Sequence, residues 1–379
     1  MARTVGETNR NKLRGYYDYS LLFLILFLVC FGLVMIYSTS SYNAQRIHGD
    51  AAYYLSKQAL LGGAGILIML FVSKIDYRIY IRKLPIIKIR PITLLYIMCV
   101  LLQTYVILFG TDVKGAKRWI DISFIRFQPS ELTKIAVILV TAYIINLAPR
   151  KLDKIGGFLR VLLLIAPLLG LVIAENFSTG LIIGIIFISM CFVASKKKAY
   201  FIISGTILGA LASLMIFFVD FRSDRIDAWL NVETHAKGYQ ILQGLYAIAS
   251  GGIFGKGLGE SMQKLGFIPE SHNDMIFSVI CEELGLFGAG ALILLFVLLI
   301  WRIFIIAINA PDLYGGLLAT GVLVHISIQV LMNIAVVTST IPPTGIPLPF
   351  ISYGGSSLLV ILAEMGIVLS VSNQIKIQR

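Results

Sequence analysis

Long apolar runs recur along almost the whole chain, and their length sets the fold class. Ten runs approach the length of about 20 residues that a helix needs to cross a bilayer. They lack the period-two alternation that the strands of a membrane barrel require. We therefore predict an all-α polytopic membrane protein with about ten transmembrane helices. The predicted spans are 18–38, 53–73, 91–110, 131–148, 158–174, 180–194, 199–219, 276–306, 314–337 and 356–372.

The composition agrees with this prediction. Of the 379 residues, 58% are hydrophobic, whereas a soluble domain has about 45–50% apolar residues. The first apolar run is long and no small-residue cleavage site follows it, so we expect a first transmembrane helix and not a cleaved signal peptide. The chain is expected to form a single integral membrane domain over 1–379 that begins with a polar tail at 1–17.

Basic residues predict the orientation in the membrane. Ten spans place both termini on the same side, and the formal net charge is +12. If the termini are cytoplasmic, the cytoplasmic segments hold about 20 of the 32 Lys and Arg residues and the outer segments about 10. Cytoplasmic loops normally carry the excess of Lys and Arg. We therefore predict cytoplasmic termini, with the long segment 220–275 as an extracytoplasmic loop between helices 7 and 8.

Three outer segments contain more chemistry than a plain connector needs. They are 111–130, 220–275 and 338–355; each combines Gly or Pro with aromatic residues, and the first two also carry charged residues. Long ordered loops tend to be functional. The connections on the predicted cytoplasmic side are mostly short and basic, and none resembles a nucleotide-binding domain.

Several kinds of site are not supported by the sequence. The glycine run 251–260 fails the phosphate-loop pattern because Lys256 is followed by Gly257 and not by Ser or Thr. These glycines are expected to permit tight turns instead. The four cysteines form no CxxC pair, so neither a disulfide framework nor a zinc site is indicated. No motif of a metalloprotease or of a serine or cysteine hydrolase occurs.

The most informative charged cluster is Glu270, His272 and Asp274, directly before the eighth apolar run. An ionisable group at a membrane boundary is a functional candidate by default, because it is expensive to keep there. In a structural interpretation, Asp274 caps the following helix and complements its dipole. In a chemical interpretation, Asp274 is a general base for a substrate hydroxyl. The two interpretations do not exclude each other.

A second cluster lies at the start of the fourth span. Pro129 suits the first position of a helix, with Gln128 before it as a candidate cap. Glu131 and Lys134 are three residues apart and therefore share a helix face. They form either a structural ion pair or part of a cationic site for a phosphate group, since guanidinium and ammonium groups bind phosphate oxygens. The donors to a phosphate would be Lys134 with Arg118 or Arg126.

The segment 342–357 holds four prolines and three glycines next to the last span. Irregular backbone at membrane depth is tolerated only where it is buried in protein or lines a wet cavity. The segment therefore forms either one wall of a groove or a rigid loop that caps the helical bundle.

Polar residues also occur inside the predicted spans. Glu282 and Glu283 are adjacent in a helix and point in different directions, so at least one of them must face a polar interior. His325 and Asn333 in the ninth span are expected to make interhelical hydrogen bonds.

Taken together, these motifs resemble the SEDS family (shape, elongation, division and sporulation), which includes FtsW, RodA and SpoVE. The resemblance covers essentially all spans. The stretch 257–264 and the opening 18–42 look more like the division and sporulation branch than the RodA branch. Departures such as Asn273 for Thr and Met275 for Phe remove no ionisable group. The matching motifs are 115-GAKRWI-120, 126-RFQPSELTK-134, 239-YQILQGLYAIASGGIFGKGLG-259, 269-PESHNDMIFSVICEELG-285 and 343-PTGIPLPFISYGGSS-357.

The resemblance implies a peptidoglycan glycosyltransferase that polymerises lipid II outside the bacterial cytoplasmic membrane. The essential Asp of the family falls on Asp274, which we expect to deprotonate the acceptor sugar hydroxyl. The leaving undecaprenyl pyrophosphate is expected to be stabilised by cations. These cations are Arg118, Arg126 and Lys134. The other expected substrate-binding residues are Gln128, Glu131, Glu270, His272 and Ser352.

The resemblance also implies partners. Family members act with a class B penicillin-binding protein, which cross-links the glycan, and with other membrane proteins of division or elongation. No nucleic acid is expected. A divalent cation, Mg²⁺ or Mn²⁺, is left open as an aid to the leaving group, although no ligand cluster of standard spacing occurs.

Three other functions compete with polymerisation. A lipid II flippase would also hold a polyprenyl pyrophosphate, but it should place its ionisable groups near the midplane between pseudo-symmetric halves. A noncatalytic scaffold for division enzymes would not need Asp274. A transferase for another polyprenyl-linked sugar is disfavoured by the number of matching motifs.

Overall fold

Helices dominate the computed structural model, which describes residues 14–85, 88–113, 116–122, 125–218, 220–235 and 238–377. The described residues form twelve α-helices, two 3₁₀ segments at Tyr77–Ile81 and Pro149–Asp153, and two small sheets. The helices are α1 (Tyr19–His48), α2 (Tyr53–Lys74), α3 (Pro91–Phe109), α4 (Pro129–Leu147), α5 (Ile155–Glu175), α6 (Phe177–Ala194), α7 (Ala199–Phe218), α8 (Asp220–Leu230), α9 (Tyr239–Gly251), α10 (Ile276–Ile308), α11 (Leu313–Val337) and α12 (Gly355–Asn373). The strands are β1 (Arg14–Gly15), β2 (Thr111–Val113), β3 (Ala116–Ile122), β4 (Ile125–Phe127) and β5 (Lys376–Ile377).

The polytopic helical architecture is confirmed. Within the part of the chain that the structure describes, nine helices are long and apolar enough to cross a bilayer, namely all except α7, α8 and α9. Helix α7 coincides with the seventh predicted span, 199–219, whose last residue lies outside the described residues. The fifth and sixth spans are two separate helices, joined at Asn176.

Helix α1 extends ten residues beyond the predicted end of the first span. It begins after Asp18, whose carboxylate accepts a hydrogen bond of 2.9 Å from the backbone N–H of Leu21, and it ends at Gly49 with φ at 73°. Ser38, Thr39 and Ser40 at the predicted end of the span are buried. Ser38 donates to Glu283 of α10, whereas Thr39 and Ser40 donate to the carbonyl oxygen of Ile36 in their own helix.

Small residues allow the helices to approach closely. A Cβ on Gly366 of α12 would lie 2.8 Å from the carbonyl oxygen of Met69 in α2. A Cβ on Gly32 of α1 would lie 2.4 Å from the carbonyl oxygen of Phe350. Such contacts are typical of helix packing in membranes, where van der Waals contact replaces the hydrophobic effect as the driving force.

The two sheets connect distant parts of the chain. Strand β1 pairs antiparallel with β5, so the segments next to both termini lie side by side. Strands β2, β3 and β4 form an antiparallel sheet from the predicted outer segment 111–130. The sequence analysis did not predict these strands.

Helix α10 is broken at Gly285, where φ is 68° and ψ is −169°. The glycine run packs against this break. The backbone N–H groups of Lys256 and Gly257 donate to the carbonyls of Glu282 and Glu283, both at 2.9 Å, and Leu286 N–H donates to Gly252 O. The expectation of tight turns is confirmed, because Gly252, Gly255, Gly257 and Gly259 all have positive φ.

We predict that Gly285→Ala destabilises the protein by about 2 kcal/mol or more, because a Cβ is unfavourable at this φ and would overpack the contact. Such a Cβ would lie 2.3 Å from the backbone nitrogen of Gly255. The control is Gly290→Ala in the same helix, where a Cβ meets open space. Thermal unfolding of the purified variants measures both effects. Equal unfolding temperatures would contradict the prediction.

Candidate functional site

Asp274 lies at one end of the helical bundle, where the segment 252–275 meets the segment 338–354. We call this the loop end. The side-chain amide of Asn333 donates to the carbonyl oxygens of Asp274 and Ile346, each at 2.8 Å, and so ties the two segments together. A Cβ on Gly345 would lie 4.0 Å from Asp274 Oδ2, which places the carboxylate beside the second segment. Asn333 is thus a structural hydrogen-bonder, although its partners are loop carbonyls and not the second helix that was predicted.

Asp274 does not cap α10. The helix begins at Ile276, Met275 occupies the N-cap position, and no side chain caps this end. The capping prediction was therefore wrong. The carboxylate of Asp274 is partly exposed and is not engaged as an N-cap.

An arginine that the sequence analysis missed interacts with Asp274. Arg225 of α8 is partly buried, and the carboxylate of Asp274 raises its pKa, while burial, the larger effect, lowers it. Its Nη1 donates to the carbonyl oxygen of Pro343 at 3.2 Å. The only signal in the sequence was the concentration of charged residues in 220–230, which carries no spacing rule that would point to Asp274.

Arg118 lies close enough to Arg225 for the two charges to repel each other. Burial and then this repulsion lower the pKa of Arg118. Its Nε donates to the carbonyl oxygen of Glu175 at 3.2 Å. Two half-buried guanidinium groups and two carboxylates therefore meet at the loop end, with Asp274 beside Arg225 and Glu175 beside Arg118. This arrangement attracts an anion, because each guanidinium lacks full hydration and presents several donors.

Glu131 and Lys134 form the predicted contact in the first turn of α4. Lys134 Nζ lies 2.9 Å from Glu131 Oε1, and the side chains are only 2% and 8% exposed. The shared helix face is confirmed, and Pro129 occupies the first turn as predicted. Gln128 occupies the N-cap position of α4 as predicted, although its half-buried side chain makes no cap bond.

A second buried pair lies deeper in the bundle. His325 Nδ1 of α11 is 2.7 Å from Glu364 Oε2 of α12, and both side chains are fully buried. His325 also interacts electrostatically with Glu131. The prediction that His325 makes an interhelical hydrogen bond is confirmed.

An apolar cavity of about 540 Å³, which is an open surface groove and not an enclosed pocket, lies along α3, α4 and the β3–β4 hairpin. It adjoins Arg126, which directly precedes one of the lining residues. The residues that line it are Met98, Leu102, Tyr105, Ile120, Phe127 and Leu132.

Arg126 is exposed at the loop end, with its Nε 3.4 Å from Asp121 Oδ1. It also interacts with Tyr353, whose pKa burial raises and Arg126 lowers. Arg126 therefore lies on the Tyr353 side of the loop end, whereas Arg118 lies near Arg225.

His272 is buried beside two tyrosines. Its ring centroid is 4.4 Å from that of Tyr54 and 5.5 Å from that of Tyr353. Burial lowers the pKa of His272 to about 4, although the nearby Glu270 acts to raise it. The imidazole is consequently neutral at pH 7 and cannot serve as a cation for phosphate.

Glu270 and Ser352 complete the predicted set. Glu270 is exposed and has a positive φ of 51°, which is uncommon for a residue other than glycine. Its Oε2 accepts from the side-chain amide of Asn273 at 3.0 Å. Ser352 is buried, and its hydroxyl accepts from the backbone N–H of Leu348 at 2.8 Å.

Glu282 and Glu283 attach the segment 252–275 to the break in α10. Both are fully buried, Lys256 Nζ lies 2.6 Å from Glu282 Oε1, and Lys264 Nζ lies 2.8 Å from Glu283 Oε1. The prediction of a polar interior is confirmed for both glutamates. Hydroxyl groups complete the two sites: Ser250 and Ser261 donate to Glu282, and Ser38 of α1 donates to Glu283.

Among the described residues, no group of three or more His, Cys, Asp or Glu side chains is arranged to hold a metal ion.

The buried His272 predicts a specific pH dependence of stability. In the unfolded chain its pKa returns to about 6.5, so between pH 6.5 and 4 the unfolded state binds a proton that the folded state excludes. Stability should fall as the pH drops through this window, by about 3 kcal/mol in total. The glutamine in His272→Gln cannot titrate, so the stability of this variant should not show this fall with decreasing pH. The control His235→Gln keeps His272 and should show the same fall as wild type. Thermal unfolding between pH 4.5 and 7.5 measures the slopes, and equal slopes in His272→Gln and wild type would contradict the prediction.

Comparison with known proteins identifies the family. The model of the FtsW, RodA and SpoVE family, described as cell cycle protein, matches residues 19–377. A probable peptidoglycan glycosyltransferase FtsW of Trichlorobacter lovleyi is 38% identical over 369 residues, which cover 95% of this chain and 94% of that protein. Stage V sporulation protein E of Bacillus subtilis is 37% identical over 368 residues, which cover 94% of this chain and 96% of that protein.

Solved structures agree with the sequence relatives. The rod shape determining protein RodA of Thermus thermophilus matches with a TM-score of 0.69 and 26% identity, over 95% of this chain and 97% of that chain. A chain from a peptidoglycan synthase complex, whose structure concerns the coordination of polymerization and crosslinking, also matches. The TM-score is 0.77 and the identity is 26%, over 94% of this chain and 97% of that chain. The chain therefore belongs to the FtsW, RodA and SpoVE family.

Proposed function

We propose that the protein is a peptidoglycan glycosyltransferase that polymerises lipid II at the outer face of the bacterial cytoplasmic membrane. The observation that carries the proposal is the meeting of Asp274 with Arg225 and Arg118 at the loop end. A carboxylate beside anion-binding guanidinium groups provides both a base and a site for a pyrophosphate leaving group. The names of the sequence relatives given above support the same activity.

The loop end is assigned to the outer side of the membrane. The pairing of β1 with β5 keeps the two terminal segments together, and the excess of Lys and Arg places them in the cytoplasm. The segment 220–275 then lies outside, with the tail 1–17 inside. Sugars at the outer surface and lipid tails in the bilayer can both reach a site at this boundary.

In the proposed reaction, Asp274 accepts the proton of the acceptor 4-hydroxyl as that oxygen attacks the anomeric carbon of the donor. The bond from this carbon to the pyrophosphate oxygen breaks, and undecaprenyl pyrophosphate leaves. Arg118 and Arg225 stabilise the negative charge that develops on the leaving group. Arg126 contributes a further cation at the loop end, and holding both substrates in place supplies much of the rate acceleration.

Lys134 has a different position from these arginines. It is almost fully buried and already paired with Glu131. We propose that the Glu131–Lys134 pair stabilises the start of α4. It contributes to substrate binding indirectly, by holding the neighbouring Gln128 and Arg126 in position. Ser352 supports the segment 338–354 in the same way, through its bond to Leu348.

We assign the apolar cavity beside α3 and α4 to the polyprenyl chain of a substrate. Its lining is apolar, and Arg126 lies directly next to Phe127 in the lining. A chain in the cavity would therefore leave its pyrophosphate close to a cation. This combination suits an amphiphilic lipid better than a soluble nucleotide sugar.

A class B penicillin-binding protein is the proposed partner, along with other membrane proteins of division or elongation. The structural similarity to a synthase complex that coordinates polymerization and crosslinking supports this partner. The division or sporulation branch is favoured by the relatives named FtsW and stage V sporulation protein E.

One observation favours a lipid flippase instead. The buried His325–Glu364 pair lies near the middle of α11 and α12, where a transporter would place its ionisable groups. However, both side chains are fully buried against their neighbours. The exposed carboxylate and the arginines at the loop end are better placed for a lipid-linked saccharide.

We predict that Asp274→Asn lowers lipid II polymerisation by at least about 100-fold, the usual minimum contribution of a general base, while folding and lipid II binding persist. The assay uses purified protein with its penicillin-binding partner, whose transpeptidase is blocked. The control is Glu260→Gln, which removes an exposed carboxylate from the same loop and should keep full activity. Glycan ladders of normal intensity from Asp274→Asn would refute the assignment of the base.

A further inference from the structure

Five aromatic side chains form a continuous cluster at the loop end, next to Asp274. We define the aromatic cluster as His48, Tyr53, Tyr54, His272 and Tyr353. We propose that it is a saccharide-binding subsite that holds the acceptor sugars of the lipid-linked substrate. This inference rests on the proposed function and specifies which part of the substrate binds on the His272 side of Asp274.

The rings come from separate segments and contact each other in series. His48 at the end of α1 stacks on Tyr53 of α2, with ring centroids 3.7 Å apart. Tyr54 lies 5.1 Å from Tyr353 and 4.4 Å from His272. The backbone N–H of Tyr353 donates to the carbonyl oxygen of His272 at 2.9 Å, which fixes the two segments in register.

The cluster is shaped for contact and is not only a packed core. Tyr53, Tyr54 and Tyr353 are all partly exposed, and His48 is exposed. His272 alone is buried, and its Nδ1 has no hydrogen-bond partner among the described residues. A buried nitrogen without a partner is unfavourable, so a hydroxyl or amide of a ligand would satisfy it.

Polar groups suited to sugar hydroxyls border the rings. Glu270 interacts electrostatically with Tyr54 and accepts from Asn273 at 3.0 Å. The carboxylate has further acceptor sites, and the amide of Asn273 offers both donors and an acceptor. Glu270 also keeps its positive φ of 51°. Such backbone strain concentrates at functional sites.

This combination matches the chemistry of a pyranose. One face of the ring carries C–H groups that pack on an aromatic face, and its edge carries hydroxyl and acetamido groups that need donors and acceptors. Tyrosine rings provide large, rigid contact surfaces, and a few polar groups then fix the orientation. Cations also border the rings: Lys57 Nζ donates to the Tyr53 hydroxyl at 2.6 Å, and Arg126 interacts with Tyr353.

The position of the cluster selects the acceptor over the donor. His272 precedes Asp274 by two residues, so sugars on the cluster lie beside the proposed base. The donor pyrophosphate is assigned to Arg118 and Arg225. Arg126 interacts with Tyr353, which provides a cation for the pyrophosphate that the acceptor lipid itself retains.

A membrane-interface belt is the alternative explanation, since Tyr is enriched where protein, lipid and water meet. A belt residue is largely exposed, as Tyr19 is at 73%. The rings of the cluster instead point at each other from α1, α2 and two loop segments. A belt therefore does not explain why Tyr54 and Tyr353, from two different segments, both pack against His272.

The test is saturation-transfer NMR on the full-length protein in nanodiscs with the soluble disaccharide of N-acetylglucosamine and N-acetylmuramic acid. We expect transfer from tyrosine protons to sugar ring protons in wild type. Tyr54→Leu with Tyr353→Leu should reduce binding about tenfold, because two ring contacts are lost. Tyr54→Phe and Tyr353→Phe, which keep the rings, should retain it. The control Tyr42→Leu removes an exposed tyrosine of α1 outside the cluster.

The outcomes separate this inference from the proposed function. Asp274→Asn should bind the disaccharide like wild type, so loss of polymerisation with retained binding supports the subsite. In the polymerisation assay, the leucine variant should raise KM for lipid II about tenfold with a smaller change in kcat. If the wild-type protein shows no saturation transfer to the disaccharide, the proposal is overturned, whatever the variants show. Undiminished binding in a folded leucine variant would overturn it as well.

Discussion

The structure depends on the burial of two adjacent carboxylates at the break in α10. An isolated buried charge is costly, so Glu282 and Glu283 are compatible with the fold only if each keeps its cation. Lys256 and Lys264 supply these cations, and both belong to the segment 252–275. The segment is therefore attached at two charged points, with Gly285 and Gly255 permitting the close backbone contact. Removing one lysine would leave a buried carboxylate unpaired, which typically costs about 3–5 kcal/mol.

This attachment determines where the chemistry can occur. A loop held at Lys256 and Lys264 ends at α10 with Asp274 in a defined place, and Asn333 fixes the carbonyl of Asp274 from α11. Two kinds of surface lie near that carboxylate. One is formed by arginines from β3 and α8, and the other is the aromatic cluster, whose His272 lies two residues before Asp274. A reaction that joins a sugar hydroxyl to a carbon carrying pyrophosphate needs both kinds of surface at one carboxylate.

The sequence predicted the features that depend on local pattern. The lengths of the apolar runs predicted the membrane spans. The three-residue spacing of Glu131 and Lys134 predicted their contact. Features that depend on long-range contact were missed. Arg225 approaches Asp274 from 49 positions away in the sequence, and no local rule connects them. The capping prediction failed because α10 begins at Ile276, two residues after the acid. The end of α1 was misplaced because its hydroxyl groups face buried partners.

The most direct test of the account is hydrogen exchange of the protein in nanodiscs, comparing wild type with Glu282→Gln/Glu283→Gln and measuring lipid II polymerisation on the same samples. Neutral amides cannot hold the two lysines. The account predicts that amides in 256–274 exchange at least about tenfold faster, since their protection depends on this attachment. Helix α11 should stay protected and polymerisation should be lost. Unchanged protection of 256–274 together with normal polymerisation would contradict the account.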